Sequence, residues 1–138
     1  MEQDSLAYYS RKIQEGDDSY ETLLKRGTFL APAYLYDRKH IPIVAERLTQ
    51  GNRRINTLVW QDLQHINYDT KETLLNFKKP VLIIHGKEDI VGLEIPRTAH
   101  KILPNSRLVL LDKTRHYGWL DSPQAYFESI DEFLTTLK

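Results

Sequence analysis

The sequence predicts an α/β chain, with a helical region over residues 1–78 followed by a β-α-β-α unit with two parallel strands over residues 79–138. Three observations carry this expectation. Apolar residues in the first region recur at helical spacing. Two short continuous apolar runs, Val81–Ile84 and Leu108–Leu111, read as strands covered on both faces. A helical pattern comes after each run, and the order strand, helix, strand, helix implies a parallel crossover.

The elements can be justified in turn. Leu6, Tyr9 and Ile13 fall on one helical face, and Gly16 stops that run. Asp18 stands three residues before Glu21, the spacing of a capping box, so a helix is expected to start there. Tyr20, Leu23 and Leu24 continue it, and Gly27 is expected to end it. The aromatic stretch FLAPAYLYDRKH is a connector. Pro42 suits a first helical turn, with Val44 and Leu48 behind it and Gly51 as the stop. Ile55, Leu58, Val59, Leu63 and Ile66 make the strongest apolar stripe of this half. Asp69 and Glu72 repeat the capping-box spacing. In the second half, Pro96 to Leu103 is a helix candidate, and Ser122-Pro123 is an N-cap with proline at the first helical position. Tyr126, Phe127, Ile130, Phe133, Leu134 and Leu137 then share one face.

Composition narrows the function classes. The chain has 138 residues, enough for one ordinary domain, and 41% of them are hydrophobic. Lys plus Arg and Asp plus Glu are 19 each, and the balance holds in both halves, which leaves no basic face for nucleic acid. Cysteine is absent, so disulfides and thiolate zinc sites are excluded. No stretch approaches the roughly 18 apolar residues of a membrane span. The expectation is a soluble, cytoplasmic protein that binds neither nucleic acid nor membrane.

Ligands in open α/β sheets sit beyond the carboxyl ends of the strands. Asp89 comes after the first apolar run there and His116 after the second. An acid and a histidine on adjacent strand ends can pair, the acid fixing the ring tautomer and leaving the other nitrogen as a base. The plainer reading is a turn aspartate and a surface histidine. His85, Glu88 and Asp89 match no trusted metal-ligand spacing, so neither metal nor cofactor is expected.

The stretches KKPVLIIHGKEDIV and PNSRLVLLDKTRHYGWLDSPQAYFESIDEFL resemble the C-terminal end of an α/β-hydrolase. In that family a strand ending in G-x-x-D supplies the triad acid, here Gly86 and Asp89. The next strand leads to the histidine, here His116, and then to an acidic-Pro segment opening the last helix, here Asp121 and Pro123. Arg115 stands where the family usually has glycine. The helical region resembles the lid of proline iminopeptidase-like hydrolases through APAYLYDRKHIP, AERL and NTLVWQDLQ. The resemblance therefore implies a partial α/β-hydrolase fold: a helical lid region over 1–78, then the C-terminal β-α-β-α part of the core over 79–138. It implies Asp89 as triad acid and His116 as general base. Tyr34, Tyr36 and Trp60 are expected to pack rather than to touch substrate.

Such an enzyme also needs a serine in a G-x-S-x-G elbow. None of Ser5, Ser10, Ser19, Ser106, Ser122 and Ser129 has glycine two residues before or after it, and no HGGG-type oxyanion motif is present. The expectation is the C-terminal part of a serine-dependent peptidase or esterase, inactive alone and acting on a small molecule or peptide only when completed by an N-terminal section. The alternative is a non-catalytic module. A two-stranded sheet leaves open edges, and such edges recruit other strands, so a homodimer through the exposed edge is expected on that reading.

Overall fold

The computed structural model describes residues 2–137. Two compact units divide the chain, one reaching to Pro32 and resuming at Arg38–Tyr68, the other comprising Ala33–Asp37 and the chain from Asp69 onward.

The first unit is all helical. Helix α1 (Glu2–Gln14) ends before Gly16, whose φ of +99° only glycine adopts readily. Helix α2 (Tyr20–Leu30) is capped by Ser19, whose Oγ accepts from Thr22 N at 3.4 Å. Asp18 is not the cap. Asp17 supports the cap instead, accepting from Ser19 N and Oγ and from Thr22 Oγ1. Gly27 does not end α2. It lies inside the helix where α3 (Ile41–Thr49) crosses, and a Cβ there would stand 2.7 Å from the Ala45 carbonyl oxygen. Close helix approach, rather than chain reversal, is the reason for this glycine. Ala31, Val44 and Ala45 are the buried apolar residues of the unit. Helix α4 (Arg53–His65), capped by Asn52 Oδ1 on Ile55 N at 3.0 Å, carries the expected stripe, but Ile55, Leu58, Val59 and Ile66 are exposed. Trp60, expected to pack, is 59% exposed.

The second unit holds the sheet. After α5 (Lys71–Leu75) comes β1 (Val81–Gly86), which pairs in parallel with β2 (Ser106–Leu111) in the register Val81↔Ser106 to Gly86↔Leu111. Helix α6 (Glu94–Ile102) connects the strands and packs on both, as does α8 (Pro123–Thr135), which comes after the short α7 (Gly118–Asp121). The β-α-β-α order of the sequence is thus present, with strands longer than the apolar runs. Leu35, Leu103 and Leu111 are the buried apolar residues of this unit. Residues Val81–His85 are half-buried rather than fully covered, because one neighbouring strand leaves an edge and part of each face accessible. Along α8 the packed side runs through Ser129, which is buried, while Phe127 and Leu134 are exposed. Among the described residues, no helix is long and apolar enough to cross a membrane.

Candidate active site

The site is built from the loops that leave the two strands. Lys87 N donates to Leu111 O at 2.9 Å, carrying the parallel ladder one step past β1. The chain then turns, with Asp89 N bonded to Gly86 O at 3.3 Å. Asp89 Oδ1 accepts from Val91 N at 3.0 Å, an Asx-type turn that orients its own carboxylate. His85 Nε2 donates to Val91 O at 2.9 Å and holds the same turn from the strand side. His85 therefore has a structural bond, and its ring is directed at backbone.

Past β2, Lys113 adopts φ +50°, an uncommon left-handed conformation that reverses the chain. Thr114 behind it is fully buried. Its Oγ1 donates to Asp112 O at 2.8 Å and lies 2.7 Å from Ser122 Oγ. Ser122 precedes α8, as the sequence indicates, but its hydroxyl serves this loop and makes no capping bond to the helix.

The two loops are tied to each other. Glu88 N donates to Thr114 O at 3.1 Å, and Thr114 N donates to Glu88 Oε2 at 3.0 Å. This reciprocal pair fixes the spacing of the Asp89 turn and the His116 loop. Gly86 allows it, because a Cβ there would collide with the carbonyl oxygens of Thr114 and Arg115.

The consequence is a contact between residues 27 positions apart. His116 Nδ1 lies 3.1 Å from Asp89 Oδ2 and 3.2 Å from Oδ1. An aspartate at this position accepts a hydrogen bond from Nδ1–H, which leaves Nε2 with a lone pair. The Asp89 side chain is 5% exposed and that of His116 is 46% exposed. The acid is thus shielded and the imidazole faces solvent. Rings surround the histidine: Tyr34 at 5.6 Å and Tyr117 at 5.7 Å between centroids, both edge-on. A cavity of about 100 Å³ adjoins the pair, with Ile84, Leu111, Trp119 and Tyr126 in its wall.

Asp89 and His116 are therefore brought together. His85 and Glu88 support the loops, and among the described residues no cluster of three or more His, Cys, Asp or Glu is placed to hold a metal ion. Sequence reasoning missed three contributors. Thr114 gave no signal, since a buried threonine in a polar loop looks like any other. Glu88 stood out only as a member of the rejected His85, Glu88 and Asp89 metal set, not as a link to the His116 loop. Tyr34 stands 82 positions before His116, so no local pattern could join them.

The chain has the C-terminal part of an α/β-hydrolase fold. No family model matches it. The proline iminopeptidase of Saccharolobus solfataricus is 29% identical over 147 aligned positions, spanning 90% of this chain and 47% of that protein. The uncharacterized hydrolase YugF of Bacillus subtilis is 41% identical over 64 residues, 46% of this chain and 23% of that protein. Among solved structures, 2-hydroxy-6-oxo-6-phenylhexa-2,4-dienoate hydrolase of Rhodococcus sp. strain RHA1 superposes with a TM-score of 0.62 at 21% identity, covering 94% of this chain and 47% of that one. The chain spans about half the length of the proline iminopeptidase it matches.

Proposed function

We propose that Asp89 and His116 are the acid and general base of a serine-dependent hydrolase site, acting on an amide or ester bond. The observation that carries this reading is the Asp89–His116 contact at the ends of adjacent parallel strands. Asp89 holds Nδ1–H, and Nε2 takes the proton of a serine hydroxyl as that oxygen attacks the carbonyl carbon. The same nitrogen then returns the proton to the leaving group. The similarity to a proline iminopeptidase favours release of an N-terminal residue from a peptide. On this reading residues 1–78 are a helical lid-like region and residues 79–138 the end of the catalytic core.

The 138 residues contain no G-x-S-x-G, so the serine and the oxyanion donors come from an additional section, in a longer chain or in a partner. Loss of a triad nucleophile costs on the order of 10⁶ in turnover. The 138-residue chain is expected to show no hydrolysis of aryl esters or aminoacyl-arylamides above background. The same chain joined to a section bearing the elbow is expected to turn over, and His116→Ala in it to abolish turnover. Activity of the purified 138-residue chain that disappears with His116→Ala would overturn this division of labour.

A second reading has its own observation. β1 is half-buried and its sheet has only two strands. On this reading the chain is an interaction module that homodimerises across the β1 edge. Light scattering coupled to size exclusion decides it: a monomer at high concentration removes this alternative.

A further inference from the structure

We propose that Asp121 is a positioning residue for His116, acting through the connector Ala33–Asp37. The proposal deepens the acid–base reading and rests on it. Asp121 ends the four-residue α7. Its Oδ2 accepts from Arg115 N at 2.9 Å. Both carboxylate oxygens stand 3.0 Å from Tyr36 N, and Oδ1 also accepts from Asp37 N at 3.0 Å. One carboxylate thus gathers three backbone N–H groups from two segments far apart in the chain. Charge-assisted bonds of this kind are shorter and stronger than neutral ones.

The bonds close a ring. His116 N donates to Tyr34 O at 3.1 Å. Tyr34 belongs to the connector whose Tyr36 and Asp37 amides are held by Asp121. Asp121 in turn holds Arg115, the residue before His116. The main chain of His116 is therefore held on one side directly and on the other through Tyr34, whose ring also meets the imidazole edge-on. None of these amides lies in a strand or helix, and Asp121 is an acceptor that all three share, so its loss acts on both segments together.

The geometry at the far end explains why this matters. The His116 Nδ1 to Asp89 separation is 3.1–3.2 Å, near the long end of a good N–H···O bond. A shift of a few tenths of an ångström in the loop lengthens it out of range. Holding residues 115 and 116 in place thereby sets which ring nitrogen carries the proton.

Two NMR readouts on the 138-residue chain test the proposal. The first is the His116 tautomer, read from its ring nitrogen shifts. The second is amide exchange at Tyr36, Asp37 and Arg115. In Asp121→Asn, one oxygen becomes an NH₂ that faces donors and the charge is lost. Exchange at the three amides is expected to rise by at least about tenfold. His116 is expected to lose its preference for Nδ1–H. Arg107→Ala serves as comparison, because it breaks the Arg107–Glu132 ion pair of 2.6 Å in the same unit without touching the ring of bonds. It is expected to leave both readouts unchanged.

Unchanged exchange and tautomer in Asp121→Asn would overturn the proposal, as would equal changes in Arg107→Ala. If Asp121→Asn does not fold, the wild-type chain still decides. Couplings through the hydrogen bonds from the three amides to the Asp121 carboxyl carbon are expected, and their absence at all three overturns the clamp. The two levels separate cleanly. A wild-type His116 protonated at Nε2 rather than Nδ1 sinks the acid–base reading and the positioning role with it. A wild-type Nδ1–H retained unaltered in Asp121→Asn sinks the positioning role alone.

Discussion

Gly86 illustrates how one residue serves two ends. In the sequence it is the glycine of a G-x-x-D pattern, and nothing local says why it must be glycine. Its φ is not in the left-handed region, so conformational freedom is not the cause. The cause is space, since the Thr114 and Arg115 carbonyls sit where a Cβ would go. These are backbone atoms of the loop that carries His116, and they cannot swing aside. Gly86→Ala is expected to cost about 1–3 kcal/mol by overpacking and to push the His116 loop away from Asp89. Thermal unfolding measures the first effect and the His116 ring nitrogen shifts measure the second. A variant with wild-type stability and an unaltered tautomer would contradict this cause. The acid and the histidine themselves were legible, because their types, order and places after apolar runs are local features. The shielding of Asp89 and the exposure of His116 were not, because burial is decided by side chains distant in the chain.

At the scale of elements, the helix α2 shows the same contrast. Its existence follows from spacing, yet its start and end differ from expectation. Gly27 looked like a terminator and is a crossing point. On propensity alone, Gly27→Ala should stabilise α2 by about 1 kcal/mol. The Ala45 carbonyl 2.7 Å from the new Cβ reverses the sign, and a net loss of about 1 kcal/mol or more is expected in chemical denaturation. A gain would show that α2 and α3 can part without cost.

The start of α2 carries a pH effect. Hydrogen bonds from Ser19, Thr22 and Lys12 to Asp17, largest first, hold its carboxyl well below the ordinary carboxylate range. Because the folded pKa is depressed, the stabilisation is present above the unfolded value of about 3.9 and fades as pH falls below it. The Asp17 side chain is 35% exposed, so solvent and salt screen part of the effect. The melting temperature of the wild-type chain is therefore expected to fall more between pH 5 and 2 than that of Asp17→Asn. Parallel pH profiles would count against the cap network as its source. Lys71 acts likewise on Asp69 ahead of α5, where a side-chain bond lowers that carboxyl.

At the scale of the whole molecule, the sheet makes its own prediction. Val81 N donates to Asn105 O and Lys87 N to Leu111 O, so odd-numbered β1 amides point to β2. The amides of Leu82 and Ile84 point to the open edge. They are expected to exchange faster than those of Ile83 and His85 in dilute solution. Protection of Leu82 and Ile84 that grows with concentration would instead mark pairing across that edge, as in the interaction-module reading. The exposed Phe127, Leu134 and Trp119 belong to the same unit and leave apolar surface there.

Local pattern was sufficient for the element types, their order and the parallel pairing, and it offered Asp89 and His116 as candidates that the family resemblance singled out. Each of these depends on hydrophobic period or on neighbours within a few positions. The distances that make a site came from elsewhere. Asp89 reaches His116 because Glu88 and Thr114 exchange hydrogen bonds across 26 positions, because Gly86 leaves room, and because Asp121 gathers the amides of Tyr36, Asp37 and Arg115. Such contacts join segments far apart in the chain. Only the folded chain brings them within the roughly 3 Å at which a hydrogen bond acts.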